Sequence, residues 1–176
     1  MIPIRDLTPR STKPVVTVLL ILVNAAVFLY QVSLGPSVGQ QFVAAHGMVP
    51  ARIPLLFAGQ PITFHDAFSP LLTSIFLHGG WLHLIGNMWF LWVFGDNVED
   101  RFGHLRYLAF YLIWGVGAGA VHTLLNFGSR IPAVGASGAI SGVMGAYIVM
   151  FPRSRVQTLV FLLFFFFTVQ LPAVVF

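Results

Sequence analysis

Residues 132–142 read PAVGASGAISG: three glycines, two serines and no charge, inside an otherwise greasy chain. Glycine and proline punctuate helices and serine opens them, so the stretch predicts a new helix starting at Ser137. Non-helical backbone survives at membrane depth only where it is buried in protein or lines a wet cavity. How this run is read therefore decides whether the chain is a plain bundle of spans or a bundle with a site at a broken helix.

The rest of the chain makes the membrane reading firm. Of 176 residues, 57% are hydrophobic and only 8% charged, with mean hydropathy +0.88. A soluble domain carries about 25% charged residues, so this is a polytopic membrane protein. With no cysteine, disulfides and thiolate metal sites are excluded. The net charge of +4 does not indicate nucleic acid, because Lys and Arg in a membrane protein hold loops on the cytoplasmic side.

Charges divide the sequence into uncharged stretches at 14–51, 67–95, 107–129, 131–152 and 156–176. Since a helix needs about 20 residues to cross the hydrocarbon, five spans are expected, near 14–34, 80–95, 105–126, 137–151 and 156–176. The apolar run after Lys13 is too long for a signal core and lacks a small-residue cleavage site. Residues 1–13 then form a cytoplasmic N-terminal segment and 14–176 the membrane domain. The region 35–79, broken by Gly35, Pro36, Pro50, Pro54 and Gly59, reads as a long loop lying at the interface.

Orientation follows from the basic residues. With the N-terminus inside, Arg5, Arg10, Lys13, Arg101, Arg106, Arg153 and Arg155 are cytoplasmic, and only Arg52 and Arg130 lie outside. A helix over 137–151 is about 22 Å long, short of the roughly 30 Å hydrocarbon core, so Ser137 is expected as a buried hydroxyl beneath the outer surface. The second span carries HGGWLHLIGNMWF, residues 78–90, with His83 and Asn87 four apart on one helical face. A serine at a helix N-terminus, with a histidine and an amide at similar depth, suits acyl transfer.

Each of these residues also has a plainer reading. Small residues let membrane helices approach closely, which accounts for Gly138, Gly142 and Ala146 and could account for Ser137. His83 and Asn87 could be an interhelical hydrogen-bond pair. Ser141 lies one turn deeper than Ser137 but is inside the helix, where its hydroxyl can bond back to a carbonyl. Asp96, Glu99 and Asp100 read as a cytoplasmic turn rather than a metal site.

The stretch HGGWLHLIGNMWFLWVFGDNVEDRFGHLRYLAFYL (78–112), followed by GASGAISGVMGAY (135–147), resembles the rhomboid family of intramembrane serine proteases. That resemblance implies an all-α, polytopic, rhomboid-like membrane helix bundle, with five of six core transmembrane helices present. It implies Ser137 as the nucleophile of a Ser–His dyad, His83 and Asn87 on the oxyanion side, Gly135 in the oxyanion loop, and Glu99 and Gly103 in a structural motif. It also implies transmembrane protein substrates cut near the outer face, with no cofactor and no metal.

The family's base is a histidine on a sixth span, whereas the six histidines here (46, 65, 78, 83, 104 and 122) all precede Ser137. The chain is accordingly expected to be incomplete at its C-terminus and, as written, inactive. The compact format suggests a bacterial inner membrane. Two rivals stand beside the protease: a non-proteolytic relative that binds transmembrane segments, and a transporter fragment with an anion at the helix break.

Overall fold

Val15–Ser33, 19 residues without a charge, forms one helix, α1. The computed structural model describes residues 1–162 and 165–176. Three more long helices follow: α6 (Trp81–Phe102), α7 (His104–Leu125) and α8 (Ser137–Met150). Four of the five predicted spans are thus helices close to their expected places. α1 and α7 are each long and apolar enough to cross a membrane, and α6 does so together with the segment before it, bent by 73° at the break. The chain is a multi-pass integral membrane protein, mostly helical.

The region 35–79 corrects the expectation of a loop. It folds into α2 (Gly35–His46), α3 (Arg52–Phe57), α4 (Phe64–Phe68) and α5 (Pro70–Thr73), then a 3₁₀ turn at Ser74–Phe76. Two prolines of this region act as helix starters. Pro36 and Pro70 occupy the first turns of α2 and α5, where a missing N–H costs nothing. Thr63 and Asp66 form a reciprocal capping box that opens α4.

The second correction concerns 156–176, expected as the fifth helical span. Arg155–Leu162 and Phe165–Pro172 are instead strands β2 and β3, paired antiparallel, and β2 also pairs with β1 (Ile2–Asp6). Val, Thr and Phe dominate this run and favour the pleated backbone, and composition alone cannot separate a buried strand from a buried helix. Asp6 accepts hydrogen bonds from Asn97 and Tyr147, and Trp89 donates to the Pro3 carbonyl, so β1 lies along α6. Burial pushes the Asp6 carboxyl above its ordinary range despite those bonds. The outer edge of β3 has no strand beside it among the described residues. In hydrocarbon its free N–H and C=O groups would be unsatisfied, so that edge belongs against water or protein.

Glu99 ties the helices together at the end away from Ser137. Fully buried, its carboxylate accepts from the Val16 and Thr17 N–H groups (both 2.8 Å) and the Thr17 hydroxyl (2.7 Å), with His104 Nδ1 2.6 Å away. It therefore fills the N-terminus of α1 from α6, where free N–H groups and the helix dipole favour a negative charge. Gly103, at φ +78°, makes the tight turn into α7. Glu99→Ala should strand these donors in a dry site. At roughly 1.5–3 kcal/mol for each bond to a charged group, the loss should exceed about 3 kcal/mol, read as a lower melting temperature in detergent. Glu99→Gln, which keeps an acceptor, should lose less.

α7 and α8 approach closely because glycine lets them. A side chain on Gly142 would run into the Trp114 ring, and one on Gly138 into Ala118. The small-residue face of α8 is a packing seam with α7 at these two positions.

Candidate active site

α8 starts where the chain turns in from a pinned loop. Met48 and Ala133 exchange two backbone hydrogen bonds (2.9 and 2.8 Å), and the Gly135 N–H donates to the Ser74 carbonyl at 2.9 Å. Gly135 sits at φ +125°, a conformation that side chains resist, and swings the chain into the helix at Ser137. The first N–H groups of α8 have no intrahelical acceptor, so Ser137 stands at a cluster of free donors.

Gly135 is also where α6 meets this turn. A Cβ there would stand 2.7 Å from both Cε1 and Nε2 of His83, and 3.6 Å from Asn87 Nδ2. His83, Asn87, Ser137 and Ser141 line one cleft of about 320 Å³ between α6 and α8. All four residues predicted for the site, Ser137, His83, Asn87 and Gly135, are brought together.

Their polar atoms are oriented in a usable way. Gly79 N–H donates to His83 Nδ1 at 3.4 Å. A neutral imidazole that accepts at Nδ1 carries its proton on Nε2, which with Cε1 is the part of the ring turned to Gly135. Asn87 is 9% exposed, and its Nδ2 has no acceptor among the described residues. An unpaired buried amide is costly unless something else completes it. Ser141 donates its hydroxyl to the Ser137 carbonyl at 2.8 Å, so its proton is committed to the helix. A carbonyl group in the cleft would lie among Ser137, His83 and Asn87, which line it.

Within the protein's own packing the Ser137 hydroxyl is uncovered. Ser137 is exposed, as are Ser141, Gly145 and Val149, which follow it at intervals of four on α8. No described element covers that face of the helix. On its other side Ser137 borders a second cavity of about 240 Å³, which Ser74, Ala118 and His122 also line. Of the remaining histidines, His104 is at the far end beside Glu99, and His46 and His65 belong to α2 and α4. His78 is completely buried beside His83. Its five-residue spacing from His83 gave no sign of that contact.

Residues 65–176 match the family model described as Rhomboid domain. The chain is 42% identical to RHOMBOID-like protein 5 of Arabidopsis thaliana over 78 residues, covering 44% of this chain and 25% of that protein. It is 33% identical over 106 residues to the mitochondrial presenilin-associated rhomboid-like protein of Bos taurus, covering 57% and 27%. A chloroplastic Rhomboid-like protein 11 of Arabidopsis thaliana is 36% identical over 84 residues, covering 48% and 30%. The chain thus spans between a quarter and a third of the length of these relatives. They are plant and mammalian proteins, two of them named as organellar, and they lend no support to a bacterial inner membrane.

Proposed function

The chain belongs to the rhomboid family, and on that premise we propose that its site is that of an intramembrane serine endopeptidase cutting transmembrane segments of other membrane proteins. The observation that carries this is the cleft shared by Ser137, His83 and Asn87, in which the Asn87 amide is buried without a partner. Ser137 attacks the substrate carbonyl, and the oxyanion is held by Asn87, His83 Nε2–H and the N–H groups at the start of α8. No step calls for a metal or cofactor. The helix end bearing Ser137 faces away from the cytoplasm and residues 1–13 face it; seven of the nine basic residues lie toward the opposite end, which supports that orientation.

His83 serves the oxyanion in this reading, so the proton from Ser137 passes to another histidine. The uncovered stripe of Ser137, Ser141 and Gly145 is a surface on which a helix bearing that histidine can pack. Residues 1–176 should therefore cleave a transmembrane substrate, and react with a fluorophosphonate, far more slowly than a form extended past Phe176 by such a helix. Equal rates in the two would hand the base to His122 or His83. An extended form that never labels would favour the alternative, a rhomboid-like protein that binds transmembrane segments without cutting them.

A further inference from the structure

His83 has to present one particular nitrogen to the cleft, yet its ring is exposed and α6 alone does not fix how it turns. What faces it is His78. That ring is 0% exposed and meets the His83 ring edge-on, with centroids 5.2 Å apart and planes at 68°. Neither His78 ring nitrogen has a hydrogen-bond partner among the described residues; the Phe76 carbonyl approaches the ring without completing one. A buried imidazole with both nitrogens idle acts on its surroundings through the shape of its ring and through its main chain.

Both routes lead to His83. The residue after His78 is Gly79, whose N–H is the donor to His83 Nδ1. On its other side His78 is held by α1: Phe28 meets its ring edge-on at 6.4 Å, and the Gln31 amide donates to its carbonyl at 2.8 Å. Phe28 also packs edge-on against Trp81, the first residue of α6, at 4.9 Å. α1 and the start of α6 thus clamp the His78–Gly79 dipeptide, and the dipeptide clamps the imidazole.

We propose that His78 is a positioning residue: clamped by Phe28 and Gln31 of α1, its ring and the adjoining Gly79 N–H hold His83 with Nδ1 accepting and Nε2–H turned to the cleft. The inference rests on the endopeptidase reading only for the use made of that Nε2–H. The clamp itself is independent of any reaction, and so is its main test.

Histidine-selective nitrogen NMR on the detergent-solubilised protein reads the His83 tautomer directly, with a His83→Gln sample to assign the signal. The wild type should show one Nε2–H form. His78→Ala, and separately Gln31→Ala, should broaden or split that signal into a tautomer mixture. His78→Phe keeps an edge-on ring without nitrogens and should preserve the wild-type form. In an extended form that labels, His78→Ala should slow fluorophosphonate labelling about 10-fold, short of the roughly 10²–10³ that follows loss of an oxyanion donor, with His78→Phe restoring most of the rate.

An unchanged His83 signal in both His78→Ala and Gln31→Ala overturns the proposal, as does His78→Phe behaving like the alanine variant. Should His78→Ala fail to fold, Gln31→Ala and His78→Phe still decide it. A wild type with the expected tautomer whose Ser137 never labels would count against the endopeptidase reading alone.

Discussion

Ser137→Ala, in a form extended past Phe176 that labels, is expected to remove cleavage and fluorophosphonate labelling while leaving the fold almost untouched. In a serine hydrolase the loss of the nucleophile alone lowers kcat by about 10⁶, as much as removing the whole catalytic unit. The structural cost should be small for a particular reason. The hydroxyl of Ser137 takes part in no hydrogen bond among the described residues, and the bond that involves this residue runs from the Ser141 hydroxyl to its backbone carbonyl, which alanine keeps. Alanine is also the better helix former at the first position of α8. Ser141→Ala is the matched control: it deletes a hydroxyl one turn along the same cleft and should leave labelling within a few-fold of wild type. A Ser137→Ala variant that still labels would move the nucleophile elsewhere, with Ser141 the first place to look.

The parts of this architecture that could be read in advance are those set by charge and small residues. Glu99, Arg101 and Arg106 mark one end of α6 and α7, and Arg153 follows α8, so the long helices fall between charged residues. That α8 packs closely on a neighbour was legible from Gly138 and Gly142, though not that the neighbour is α7. The helices of 35–79 were not legible. Between four and twelve residues long, they carry too little periodicity to rise above their prolines, and they exist because tertiary contacts such as the Met48–Ala133 bridge hold them. The hairpin of β2 and β3 was hidden for another reason: its third strand, β1, lies some 150 residues away, and no local pattern announces a pairing at that distance. At the site, the i, i+4 spacing of His83 and Asn87 and the break before Ser137 were enough to put three groups at one depth. The burial of His78 and the exposure of Ser137 depend on which faces are covered, which spacing does not encode.

Gly135→Ala should be nearly as damaging to activity as losing an oxyanion donor, though the residue contributes no side chain. Two effects act at one atom. At φ +125° a Cβ is strained by its own backbone, on the order of 1–3 kcal/mol for a residue held in so sparse a region. That same Cβ would lie 2.7 Å from His83 Cε1 and Nε2, closer than carbon and nitrogen can stand. The backbone has little freedom to yield, since the Gly135 N–H is bonded to the Ser74 carbonyl and Ala133 is paired with Met48 on the other side. His83 is the exposed and less constrained partner, so the ring should be displaced from the cleft. A fall of about 10²–10³ in the labelling rate of the extended form is expected, the scale of one missing oxyanion donor. Gly138→Ala supplies the contrast: its Cβ would meet Ala118 on α7 rather than His83 or Asn87, and should lower the melting temperature more than the labelling rate per folded molecule. If Gly135→Ala labels at the wild-type rate while His83 is shown to have moved, then His83 does not serve the oxyanion, and Asn87 with the helix N–H groups must do so alone.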